Sequence, residues 1–164
     1  IVNDLEELIE KNIEFDAIRM NHVIEHIPNI DEQMTNLFKI LKKDGLLIGQ
    51  TPDASHSSAQ LFECSWGGLH FPYHTIIFSP KGLSLACKRW GVEISKIKHT
   101  IMPTGWSMSI ENWIKTKFKS NRRGRIPVYS LLIIIGIVIS ITELEVLFKK
   151  TAVYDFILRK PSSN

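Results

Sequence analysis

His22, Glu25 and His26 spell H-x-x-E-H, the spacing at which two histidines one helical turn apart can hold zinc while a glutamate activates water, as in inverted zinc metalloproteases. That chemistry needs all five residues inside one stable helix. Here an apolar strand run ends at Asn21 and Pro28 follows His26 by two positions, leaving scarcely a turn on either side. Glu93 could be nominated as a distant third ligand, but the intervening residues show no helical hairpin to carry it. The protease reading is set aside and no metal is expected. Plainer duties remain for these rings: His22 as an elbow residue at a strand exit, His26 bonded to a backbone carbonyl near a helix start. His74, in Pro72-Tyr73-His74, and Asp53, just past a second apolar run, are further candidates for taking a proton near neutral pH.

The elements that must position these groups form one α/β crossover. Phe15, Ala17, Ile18 and Met20 make a short apolar run of strand length. Asn29 sits where an N-cap belongs, with Glu32 able to bond back to it, and Ile30, Met34, Leu37, Phe38 and Leu41 recur at helical spacing. Lys42 and Lys43 suit the negative end of the helix dipole, and Gly45 is expected to end the helix with a positive φ. Leu46 to Ile48 reads as a parallel strand covered on both faces. Ligands in open parallel sheets sit beyond the carboxyl ends of the strands, so residues 20–25 and 50–53 are expected to line one crevice.

Further along, residues 55–75 carry His56, Trp66, His70, Pro72, Tyr73 and His74 with little apolar periodicity, a composition suited to a lid. Ser79 and Pro80 start a helix whose buried stripe is Leu83, Ala86, Cys87 and Trp90 and whose stop is Gly91. Residues 92–100 read as a strand with Lys96 and Lys98 outward. Residues 151–160 read as another, apolar on both faces and hence interior.

The order FD-x-I, HVIEH, proline, apolar helix, LKKDGLL and TP resembles the later half of class I S-adenosylmethionine-dependent methyltransferases, closest to the branch of ubiquinone-biosynthesis and other small-molecule enzymes. SWGGLHFPYHTIIFSPKGLSLACKRWGVEI, from Ser65 to Ile94, extends the likeness. The resemblance implies the C-terminal part of a Rossmann-like α/β sheet, its strands parallel except for an antiparallel last strand inserted between its two predecessors. Nothing in the sequence matches the family's G-x-G-x-G loop, and the chain opens on Ile, so it is taken to start near the end of the family's third strand: residues 1–164 form one partial methyltransferase domain, inactive by itself.

S-adenosylmethionine is the cofactor that the resemblance implies. It puts Asp4, with Leu5 beside it, against the adenine amino group, although an Asp before Leu-Glu-Glu-Leu is equally an ordinary helix N-cap. It puts Asn21 and His22 along the adenosine, mostly through backbone. His74 is expected to face the acceptor, with His74, His22 or Asp53 as base if the acceptor's proton is not acidic. Trp66 and Tyr73 suit a hydrophobic core as well as a substrate ring. The expected reaction is methyl transfer to a small-molecule or lipid-like acceptor; the competing reading is an inactive membrane-docked or partner-binding module.

At 164 residues, 44% hydrophobic and 23% charged, the composition suits a single globular core. Cys64 and Cys87, in no metal or redox spacing, suggest reduced thiols and a cytoplasmic protein. The second informative segment is an insertion over residues 102–150, helical, basic and then apolar. Lys115, Lys117, Lys119, Arg122, Arg123 and Arg125 crowd together without an acid, and residues 128–141 are apolar but for Ser130, Gly136 and Ser140. Fourteen helical residues reach about 21 Å against a hydrocarbon core of about 30 Å, which disfavours a span and leaves it as the last of three alternatives. Residues 115–141 are therefore expected to touch the inner face of a membrane, or to pack in a dimer or a hydrophobic substrate tunnel. Nucleic acid is not an expected partner, because net charge is only +3 and aromatics are not interleaved with the cations.

Overall fold

A computed structural model describes residues 5–100, 102–118, 129–142 and 151–162. Asp4 and the cations Lys119, Arg122, Arg123 and Arg125 lie outside these residues. The elements are α1 (Leu5–Glu10), β1 (Phe15–Asn21), a short 3-10 turn (Ile24–His26), α2 (Ile30–Lys39), β2 (Leu41–Pro52), α3 (Ser57–Phe62), α4 (Pro80–Trp90), β3 (Glu93–Thr100), α5 (Pro103–Lys117), α6 (Tyr129–Thr142) and β4 (Val153–Arg159).

The strands form one sheet in the order β1-β2-β4-β3. β1 and β2 are parallel; β4 runs antiparallel to both β2 and β3, between them, as the resemblance implies. Met20, Leu47, Phe156 and Leu158 point from the sheet into the core, where α2 contributes Met34 and Phe38 and α4 contributes Leu83, Ala86 and Cys87. Each such side chain contributes about 1.5–3 kcal/mol through its burial. Burial pushes the Cys87 thiol up to about 11, leaving little of the reactive thiolate at neutral pH.

Helix α4 follows its local signals. Ser79 Oγ accepts from Gly82 N at 3.0 Å, Pro80 opens the first turn, and Gly91 closes the helix at φ 69°. Helix α2 departs from its own. Asn29 occupies the N-cap but is left-handed, at φ 49°, and its side chain makes no capping bond; the Glu32 and Gln33 amides are met by its carbonyl.

Gly45 does not end α2. The helix stops at Lys39 and Leu41 already belongs to β2, paired with Phe15. Between the pairs Phe15–Leu41 and Ala17–Leu46 strand β2 carries three more residues than β1, and the positive φ of this bulge falls on Asp44, at 60°. The cause lies far away in the chain: Lys160 accepts from the Asp44 amide, donates to the Gly45 carbonyl and reaches the Leu41 carbonyl with Nζ. Glycine is required at 45 by crowding, since a Cβ would stand 2.8 Å from the Lys42 carbonyl oxygen.

Among the described residues, the two strands expected to be covered on both sides have cover on one. Ile48 and Ile157, only half-buried, line an open groove of about 470 Å3 with Arg19, Asn21, Gln50, Lys96, Lys98 and Asp155. Lys96 and Lys98 thus lie on this outer face, as expected.

Candidate functional site

At the carboxyl end of β1 the chain turns out of the sheet at His22, a non-glycine residue at φ 51°. The His22 amide donates to the Gln50 carbonyl of β2 at 2.9 Å, so the elbow is anchored to the neighbouring strand as it leaves its own. Val23 is exposed, whereas Ile24 and Glu25 in the following turn are fully buried.

A line of polar side chains crosses the sheet from this elbow. Gln50 Nε2 donates to Asp155 Oδ1 (2.6 Å), and Thr100 Oγ1 donates to Asp155 Oδ2 (2.9 Å). The Gln50 amide being so oriented, its Oε1 faces His22 Nε2 at 2.9 Å and must accept. His22 Nδ1 lies 3.2 Å from Glu25 Oε1, and Thr51 Oγ1 donates to Glu25 Oε2. With an acceptor at each ring nitrogen, His22 is held as an imidazolium. The bond to Glu25 raises its pKa foremost, and the nearby Asp155 charge adds to this against the opposing effect of burial. Burial pushes the Glu25 carboxyl upward, but the bonds from His22, the backbone and Thr51 outweigh it, so Glu25 stays below its ordinary value and ionised.

The lid segment closes on the same elbow. The Thr75 amide donates to the Glu25 carbonyl at 2.8 Å, and Thr75 Oγ1 reaches the Ile27 carbonyl at 3.1 Å. His26 Nδ1 donates to the Tyr73 carbonyl (3.0 Å) and His74 Nδ1 to the Gly68 carbonyl (2.7 Å). These bonds fix the orientation of each ring, and the two rings meet edge to face at 4.6 Å. Burial lowers the His74 pKa, so this imidazole is neutral where His22 is charged.

Under the lid lies a cavity of about 130 Å3, mostly apolar, lined by His22, Pro52 and Val153 from the sheet end, Trp66, Gly68, His70 and His74 from the lid, and Met102, Thr104 and Met108 at the start of α5. Ser109 Oγ of α5 accepts from the Gly67 amide at 2.9 Å, joining that helix to the lid. Trp66 is buried and structural as well as lining: its Nε1 donates to Ser58 Oγ, which donates in turn to His56 Nδ1, the N-cap of α3. Tyr73 is exposed.

The expected site residues therefore divide. His22 and His74 meet at one cavity, whereas Asn21, at the end of β1, lines the groove on the outer face of the sheet. Asp53 is buried nearby but does not line the cavity, and its Oδ1 is taken by the Ser55 amide and hydroxyl, at 2.8 and 2.6 Å. Leu5 begins α1, half-buried; Asp4 lies outside the described residues. Among the described residues Glu25, His26 and His74 each present one potential metal-ligand atom within 4.8 Å of the others. Their geometry is not that of a zinc protease, because only Ile24–His26 form a 3-10 turn and no α-helix carries His22 to His26. Gln50 falls in the stretch expected to line the crevice; Asp155 was missed, though a lone acid in the apolar run VYDFIL marks it.

An α/β sheet with an antiparallel strand inserted beside its last parallel strand, and an elbow and cavity at its carboxyl edge, is the Rossmann-like methyltransferase arrangement. Residues 2–99 match the methyltransferase-domain family, and the chain belongs to that family. Among solved structures it is similar to a SAM-dependent methyltransferase from Archaeoglobus fulgidus, at 16% identity over 98% of this chain and 66% of that one, TM-score 0.52. It is also similar to a SAM-dependent methyltransferase from Thermotoga maritima, described as a possible histamine N-methyltransferase, at 16% identity over 90% and 58%, TM-score 0.51. The cyclase SpnF matches at 16% identity over 92% and 51%, TM-score 0.52. At such identities the likeness establishes the fold, and the chain spans between half and two thirds of these structures' length. No curated protein matches the chain.

Proposed function

We propose that the protein transfers a methyl group from S-adenosylmethionine to a nucleophilic oxygen, nitrogen or carbon of a small-molecule or lipid-like acceptor. The observation that carries this reading is the elbow at His22, which turns the chain out of the carboxyl edge of the sheet beside a small apolar cavity that His74 also lines. S-adenosylmethionine, when bound, supplies a methyl already activated on sulfonium. The protein's own task is then to hold the acceptor in line and dry.

Asn21 and His22 border the adenosine through their backbone, with Asp4 and Leu5 toward the adenine. His22, held cationic, is suited to orient neighbouring groups rather than to take a proton. His74 is the proton acceptor: it is neutral, faces the cavity, and its Nδ1–H bond to Gly68 leaves Nε2 free to receive an acceptor's proton. Asp53, committed to Ser55, is left a positioning role. No G-x-G-x-G turn occurs in the sequence, so the chain by itself offers only part of a cofactor site and is expected to bind weakly and be inactive alone.

Calorimetric titration of the whole protein with S-adenosylhomocysteine, with Asn21 and His22 followed by NMR, tests this reading. Shifts at both residues support it; cofactor mapped elsewhere overturns it. His74→Gln should leave that binding unchanged and slow transfer to a non-acidic acceptor by about 10²–10⁴-fold. We also read the protein as working at a membrane surface, where a lipid-like acceptor would be met.

A further inference from the structure

Helix α6 buries the wrong face for a helix that belongs in water. Leu132 and Gly136, one turn apart, are buried, and Ser107 Oγ of α5 donates to the Leu132 carbonyl at 2.9 Å, so the narrow side of α6 is the side laid against α5. Its large side chains point away: Leu131, Ile134 and Val138 are 55%, 57% and 53% exposed, and Ile135 and Ile137 are exposed as well. Positions 131, 134, 135 and 138 follow helical spacing and form one continuous aliphatic stripe. Soluble surfaces carry single apolar residues freely, but a stripe of this kind marks a surface that meets something.

We infer that this outer face of α6 docks on an anionic lipid bilayer, lying in the plane of the interface with its aliphatic stripe among the acyl chains. Charge argues for that occupant. Lys119, Arg122, Arg123 and Arg125 precede α6 in the sequence without an intervening acid. Each Lys or Arg near an anionic surface strengthens binding several-fold, and the effect fades with salt. These cations complement an anionic lipid surface, which a second copy of this chain, of net charge +3, would not supply.

Among the described residues no helix is long and apolar enough to cross a membrane. The arrangement also links the membrane to the cavity. Helix α5 lines the cavity with Met102, Thr104 and Met108 near its start and carries α6 on another side, so one helix separates the lipid from the acceptor pocket. The inference rests on the reading of a membrane-surface enzyme above, but not on methyl transfer itself.

Co-sedimentation of the full chain with vesicles tests it. Binding is expected to vesicles of equal parts phosphatidylcholine and phosphatidylglycerol, to be weaker with phosphatidylcholine alone, and to fall with added salt. Ile134→Asn with Val138→Asn should weaken it by about tenfold or more. Charge reversal at Arg122, Arg123 and Arg125 should abolish the preference for phosphatidylglycerol. In the unaltered protein, hydrogen exchange on adding vesicles should slow in residues 129–142, which keeps the test independent of variants that fail to fold.

No vesicle binding, unchanged binding by the double variant, or protection confined to other segments overturns the inference. So does a dimer in sedimentation equilibrium that Ile134→Asn with Val138→Asn dissolves, since that gives the face to a second copy. S-adenosylhomocysteine titration reads out the enzymatic reading separately: vesicle binding without it, or the reverse, shows which of the two has failed.

Discussion

Asp155 sets the direction of Gln50. By accepting from Gln50 Nε2 at 2.6 Å it turns the amide oxygen toward His22, and so adds to the larger effect of Glu25 on the protonation of that ring. Asp155→Asn should therefore lower the His22 pKa, by removing a nearby charge and the constraint on the amide together. An NMR titration of the ring that shows no downward change would disprove the relay.

The two cavity histidines should titrate in opposite senses. His22 has a folded pKa above its unfolded value near 6.5. Its bonds contribute stability fully below that value, and the contribution is lost as pH rises through the folded pKa. His74 has a folded pKa below the same reference, so its contribution is present above about 6.5 and is lost as pH falls toward the folded value. Resonance-by-resonance titration checks both signs, which a bulk melting curve would average away.

Glu25→Gln leaves His22 facing a neutral partner. Because the His22 side chain is 39% exposed, water screens part of the loss, and the expected cost is about 1–2 kcal/mol in urea unfolding. The same substitution should bring the His22 pKa down.

Gly49 is the tightest point of the sheet. A Cβ there would stand 2.2 Å from the Phe156 ring and 2.8 Å from the Met20 carbonyl oxygen. Gly49→Ala is expected to destabilise by about 1–3 kcal/mol, and Phe156→Leu in the same chain should recover part of it by yielding space. A double variant no more stable than Gly49→Ala would mean that the Met20 backbone is the limiting contact.

Elements built from neighbouring residues were readable in the sequence. Ser79, Pro80 and Gly91 delimit α4 by bonds and dihedral preferences that reach only a few positions, and the stripe of α2 follows from its own spacing. The placement of β4 came from resemblance, because strand order is not encoded in any one strand. What could not be read depends on partners far off in the chain. The bulge at residues 42–45 is held by Lys160, the Gln50 amide by Asp155, and the lid by Thr75 on the Glu25 carbonyl. At Asn29 the sequence suggested the correct position, but the backbone took a left-handed turn and left the side chain unused. For the candidate site, residue types drew attention to His22 and His74; only the fold could show that their charge states differ.

The position of β4 has a consequence for synthesis on the ribosome. Among the described residues β3 is bonded to β4 alone, so residues 93–100 have no strand to pair with until residues 153–159 have been made. A polypeptide arrested before Thr151 would leave that strand unpaired, a target for chaperones and proteases, because β4 must be laid between two strands made before it.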